Sequence, residues 1–160
     1  MGLFDTIKGY FVPSKEENQA AKSKLLQFMK QALKRDELTG FQIVYGKSIK
    51  SKDGLLEKRT QYYNYAVAFN RGTGELVILP VDPKLASCGW PVFINEETLK
   101  SAKKSYVLSY VFDLNVGDFI DFEVPEQNYK IGKLLGALEL PIMQEEEAAA
   151  FKEFFKMKFG

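Results

Sequence analysis

The chain has 160 residues, 46% of them hydrophobic, with 22 Lys plus Arg against 21 Asp plus Glu. That length suits one domain with a core of its own, and a net charge of +1 gives no global field to draw nucleic acid. There is no histidine and a single cysteine, Cys88, which excludes an internal disulfide and removes the commonest general base and zinc ligand together.

The opening stretch "MGLFDTIKGYF" gathers Leu3, Phe4, Ile7, Tyr10 and Phe11 on one helical face. Three readings share these residues: a terminal helix packed on its own domain, an amphipathic segment that meets a membrane or partner, and a myristoylation signal carried by Met1, Gly2 and Thr6. Residues 1–13 are therefore set apart as an N-terminal amphipathic segment. "SKEENQAAKSKLLQFMKQALKR" is the strongest helical pattern in the chain. Ser14 and Glu17 fit a capping box, and Ala21, Leu25, Phe28, Met29, Ala32 and Leu33 form one stripe. Residues 14–38 are read as an N-terminal helix.

From Phe41 the period changes. "FQIVYGKSIK" reads as a strand, Asp53-Gly54 as a turn, and "QYYNYAVAFN" as a strand with Tyr63, Tyr65, Val67 and Phe69 on one face. "RGTGE" is a hairpin loop, and "LVILPVD" returns as a partner strand that Pro80 ends or confines to an edge. "PVFIN" is a short strand. "NEETLKSAKK" predicts one or two helical turns with Asn95 as cap, and "SYVLSYVFDL" a strand over 105–114. "NVGDFIDFEV" follows with Ile120, Phe122 and Val124 inward and Asp121 and Glu123 outward. Residues 126–143 carry no single pattern. A helix closes the chain after Pro141, with glutamates in its first turn and lysines near its end. Strands grouped in the middle and helices at the ends predict an α+β fold. It comprises an antiparallel barrel or sandwich of about six to seven strands, an N-terminal helix and a C-terminal capping helix, with residues 39–160 as one globular unit.

The basic stretch from Lys47 to Arg59 holds Lys47, Lys50, Lys52, Lys58 and Arg59 against Asp53 and Glu57. Lysine point charges and an arginine fork on a hairpin suit phosphate or carboxylate. The same charges also suit a solvated loop. The acidic residues of "DLNVGDFIDFE" lack the spacing of a calcium loop, and "RGTGE" lacks a nucleotide-binding pattern. Neither metal nor cofactor is expected.

"GKSIK" leading to "EKRTQYYNYAVAF" resembles the first hairpin of pleckstrin-homology-type domains, and "YAVAFNRGTGELVILPVD" is similar in layout to the central hairpin of bacterial members. The resemblance covers residues 41–158 by element order. It implies a barrel whose open end is closed by the C-terminal helix, with Phe151, Phe154 and Phe155 in place of the family's usual Trp. It also implies a binding module rather than an enzyme, with the basic hairpin as ligand surface. Leu3, Phe4, Ile7 and Phe11 would be a second contact with an anionic lipid surface or an acidic partner protein. Two other functions fit the sequence. One is a protein-interaction or assembly module that uses a groove beside the 14–35 helix or a strand edge, and a homo-oligomer is compatible with it. The other is an enzyme that works without histidine through Lys or carboxylate. No apolar run approaches the ~20 residues of a membrane span, so the expected location is cytoplasmic, with peripheral membrane contact.

Overall fold

The computed structural model describes residues 11–53, 58–105 and 108–160, with the side chains of 51–53, 58, 59 and 134 outside the description. Helix α1 (Lys15–Leu33) comes first, followed by strands β1 (Phe41–Asp53), β2 (Lys58–Asn70), β3 (Leu76–Pro80) and β4 (Val92–Ile94). Strands β5 (Leu99–Lys104), β6 (Tyr110–Leu114) and β7 (Phe119–Phe122) come next. The chain then runs through β8 (Gln127–Asn128), the short helix α2 (Lys130–Leu134) and β9 (Ile142–Met143), and ends in α3 (Glu145–Phe159).

All the pairings are antiparallel and follow chain order: β1-β2-β3-β4 in one sheet, β5-β6-β7 in a second, and β8-β9 in a third. The α+β class and antiparallel sheets are as the sequence predicts. The closed barrel is not found among the described residues. The first two sheets meet at one isolated bridge, where Lys47 and Glu123 exchange backbone hydrogen bonds of 2.9 and 2.8 Å.

Strand alternation divides the core in two. On β2, Val67 and Phe69 point to one face and Ala66 and Ala68 to the other, and all four are buried. The alanine face, with Tyr45, Val77 and Leu79, receives Leu25, Phe28 and Met29 of α1. Short side chains there let the helix lie close to the sheet. The opposite face packs against Phe112 and Phe122 of the second sheet and against Phe151, Phe154 and Phe155 of α3. Burying each such ring stabilises by roughly 1.5–3 kcal/mol. With both faces covered, β3 reads as a continuous apolar run, Leu76-Val77-Ile78-Leu79.

The capping box at Ser14 forms as the sequence predicts, Ser14 Oγ accepting from Glu17 N–H at 3.1 Å and Glu17 Oε1 accepting from Ser14 N–H at 3.2 Å. The helical turns expected after Asn95 do not form. Asn95 Oδ1 accepts from the Glu97 and Thr98 amides, which is a closed turn, and Leu99–Lys104 continues as a strand against β6. The strand predicted over 105–114 begins at Tyr110, and residues 106 and 107 lie outside the described residues.

Residues 125–144 carry little regular structure of their own. Amides from other parts of the chain bind their backbone. Asn18 bonds both ways with Met143, Asn64 Nδ2 donates to Leu138 C=O at 3.0 Å, and Asn128 Nδ2 donates to Leu140 C=O at 2.7 Å. The Tyr45 hydroxyl bonds to Asn64 Oδ1 and accepts from Leu140 N–H. Burial raises its pKa far above the ordinary phenol value, so it stays a neutral donor. Gln144 is buried at the start of α3, where Oε1 accepts from Tyr45 N–H at 2.8 Å and Nε2 donates to Tyr45 C=O at 2.9 Å and to Pro125 C=O at 2.8 Å.

Gly46 faces the second core, where a Cβ would lie 2.7 Å from Phe122 Cδ2. The residue is small because the two sheets close on each other at that point. Gly46→Ala is expected to lower the unfolding free energy in urea by about 1–3 kcal/mol, the usual cost of overpacking. An unchanged midpoint would mean that Phe122 does not pack there.

Candidate functional site

The residues expected to form the site come apart in the structure. Lys47 Nζ sits 2.9 Å from Asn128 Oδ1, 3.4 Å from Glu139 Oε2 and 3.5 Å from Glu123 Oε1, with its side chain 14% exposed. It ties β1 to the irregular segment, and a ligand arriving there would compete with two carboxylates. Lys50 Nζ is 3.1 Å from Asp121 Oδ1 and lies over the rings of Phe119 and Tyr63 at 4.6 and 5.3 Å. An anion arriving there must compete with a carboxylate. Lys52 and Arg59 stand opposite each other in the β1–β2 register, next to the pair Asp53 and Lys58. The side chains of Lys52, Lys58 and Arg59 lie outside the described residues, as do Leu3, Phe4 and Ile7. Phe11 is half-buried just ahead of the buried Pro13.

A different basic surface is assembled where β5 and β6 meet the C-terminal half of α3. Helical spacing separates α3 into two functions. Phe151, Phe154 and Phe155 turn inward, and Lys152 and Lys156, four residues apart, stand together at the margin. On the facing side β5 is the outer strand of its sheet and carries Lys103 and Lys104, both exposed. Alternation along β5 sets Lys104 with Ala102 on the α3 side and Lys103 with Ser101 on the other face. Lys104, Lys152 and Lys156 border a groove of about 340 Å³ whose floor is Tyr110, Phe155 and Phe159, and Lys103 flanks it on the strand.

The floor is a built aromatic surface. Tyr110 and Phe155 meet edge-on with centroids 4.8 Å apart, and Phe155 and Phe159 lie at 5.0 Å. Lys104 Nζ is 5.3 Å from the Tyr110 ring centre, within cation–π range. Burial raises the Tyr110 pKa, so its phenol stays neutral and adds no negative charge to the groove. Among the described residues no carboxylate lies within 4 Å of the Lys104, Lys152 or Lys156 ammonium groups, whereas Lys22, Arg35, Lys50 and Lys130 each have one and Lys47 has two. Glu123, Glu126 and Glu153 border the neighbouring depression, which shares Lys104 and Lys152 with the groove.

A second cleft, between α1 and the loop after β3, brings Lys24, Lys84 and Lys133 together over Ala20 and Ala21. Glu17 also lines it, and its carboxyl, lowered in pKa by the hydrogen bond from Lys130, keeps a negative charge there. Leu85, Leu140, Pro13 and Pro141 complete its lining, and no aromatic ring is among them. The β5–α3 groove is the stronger candidate on both counts. Sequence reading missed it because its lysines come from two distant segments. The local signals were "KSAKK" and "FKEFFKMKF", each ordinary by itself.

Comparison with known proteins adds no assignment: no family model, no curated protein and no solved structure matches the chain.

Like charges around one groove repel, so this surface is held together at some cost to stability. Lys156→Glu places a carboxylate beside Lys104 and Lys152. Its thermal midpoint is expected to exceed the parent's at low salt, with the difference shrinking as ionic strength rises. A midpoint below the parent's at low salt would show that the lysines do not feel one another.

Proposed function

We propose that this chain is a non-catalytic binding module of pleckstrin-homology-like layout that associates with anionic membrane surfaces through the lysines of β5 and α3. The observation that carries the reading is the convergence of Lys104, Lys152 and Lys156 over one aromatic groove, with no carboxylate within 4 Å of them among the described residues. The layout is supported by the four-stranded and three-stranded meanders in chain order. It is also supported by the C-terminal helix, which inserts Phe151, Phe154 and Phe155 between them. Among the described residues no helix is long and apolar enough to cross a membrane, so the contact would be peripheral, at a cytoplasmic face.

Each lysine near an anionic bilayer contributes about 1 kcal/mol and is screened by salt. Three give weak association. Stable attachment takes a second signal, a part proposed for Leu3, Phe4, Ile7 and Phe11. Lys52, Lys58 and Arg59 of the hairpin would add charge to the same encounter.

Co-sedimentation with vesicles of neutral or mixed neutral and anionic lipid tests this. The full chain is expected to pellet with anionic vesicles at low salt and to be released at high salt. Replacing Lys103, Lys104, Lys152 and Lys156 by Gln should abolish pelleting, and removing residues 1–12 should weaken it. Equal failure on both kinds of vesicle would refute the membrane reading.

A further inference from the structure

The floor of the groove is a more particular feature than its charge. Its described lining is Ala102, Tyr110, Phe155 and Phe159 below, with Lys104, Lys152 and Lys156 above and Lys103 and Gly160 beside them. It holds no Ser, Thr, Asn, Gln, Asp or Glu. A hydroxyl-rich headgroup such as a sugar phosphate would bury hydroxyls against rings, with ammonium groups to receive them but almost nothing to accept their protons. An alkyl chain has the opposite requirement, and the rings meet it. The space exists because Ala102, half-buried on β5, is small where Tyr110 and Phe155 are large. A volume of about 340 Å³ falls within the range of small-molecule sites, at its lower end.

We infer that this groove binds one alkyl chain of an anionic amphiphile, laying the chain on Tyr110, Phe155 and Phe159 and holding the anion at the lysine rim. The inference rests on the reading of these lysines as the anion-binding face, and it specifies the ligand: a single-chain carboxylate or phosphate, taken up as a monomer. Adsorption to a charged bilayer needs only the rim. Monomer binding needs rim and floor together, so the two separate experimentally.

The test is calorimetric titration of the full chain with decyl phosphate below its micelle concentration, with octyl phosphate, glycerol phosphate and decanol as comparisons. Saturable one-to-one binding of decyl phosphate is expected. Each methylene removed should weaken it about two- to fourfold, the upper figure being that of a fully buried CH₂, so octyl phosphate should bind roughly tenfold more weakly. Glycerol phosphate lacks the chain and decanol lacks the anion, and both should bind at least tenfold more weakly than decyl phosphate. Ala102→Leu should reduce decyl phosphate binding at least tenfold and leave anionic vesicle pelleting unchanged. Lys104→Gln with Lys156→Gln, which leaves the floor intact, should reduce both. If Ala102→Leu fails to fold, the chain-length series and the lysine pair still decide the matter. Affinity independent of chain length, or equal affinity for glycerol phosphate, would overturn the inference while leaving the membrane reading in place. Decyl phosphate binding without vesicle pelleting would support the inference and remove the membrane reading. Failure of both would overturn both.

Discussion

Gln144 occupies the position that a neighbouring strand would occupy beside β1. Its side-chain amide exchanges two hydrogen bonds with Tyr45, through Oε1 at 2.8 Å and Nε2 at 2.9 Å, as a residue of an antiparallel partner would. The same Nε2 reaches Pro125 C=O, while the Gln144 main chain accepts from Glu126 nothing but donates to its carbonyl at 2.8 Å. Two residues further along β1, Lys47 pairs through its backbone with Glu123. The open edge of β1 is thus satisfied at Tyr45 by one buried amide and at Lys47 by one bridge. Each of those backbone groups would cost about 1–3 kcal/mol if buried unpaired.

This contact fixes where α3 begins. Gln144 is the residue immediately before Glu145, and its carbonyl accepts from Ala148 N–H at 2.8 Å. From that origin the helical period carries Phe151, Phe154 and Phe155 into the space between the two sheets, and the next faces carry Lys152 and Lys156 to the margin opposite Lys103 and Lys104. The ion pair of Lys22 with Glu147, at 2.6 Å, adds a tie from α1 to the first turn of the same helix. The aromatic floor and its basic rim are therefore products of one helix placement. A shift of α3 by one residue would turn lysine inward and phenylalanine outward.

The parts legible in the sequence are those with repeating local signals. The stripe from Ala21 to Met29 marks α1, and alternation around Tyr65, Val67 and Phe69 marks β2. The misreading of Leu99–Lys104 has a definite cause. Asn95 offers its side chain to the amides two and three residues on, which is how an Asx turn and a helix cap both begin. Pairing with Tyr110–Leu114 decides between them, and that is information from elsewhere in the chain. Residues 126–143 show no pattern for a related reason: side-chain amides of Asn18, Asn64 and Asn128 hold backbone there in place of a periodic ladder. The basic hairpin was visible as composition, but composition does not reveal that Lys47 faces Glu123 and Glu139 or that Lys50 faces Asp121. The lysines that line the aromatic groove are on segments that only the fold brings together.

The most direct measurement is the unfolding free energy of Gln144→Met, read together with hydrogen exchange at the Tyr45 amide. Methionine keeps the length and apolar volume of the side chain and removes both hydrogen-bonding atoms. With Tyr45 N–H, Tyr45 C=O and Pro125 C=O left unpaired in a buried place, a loss of about 3 kcal/mol or more is expected, with the Tyr45 amide exchanging far faster than its neighbours in β1. A variant within about 0.5 kcal/mol of the parent, with that amide still protected, would contradict the role given to Gln144.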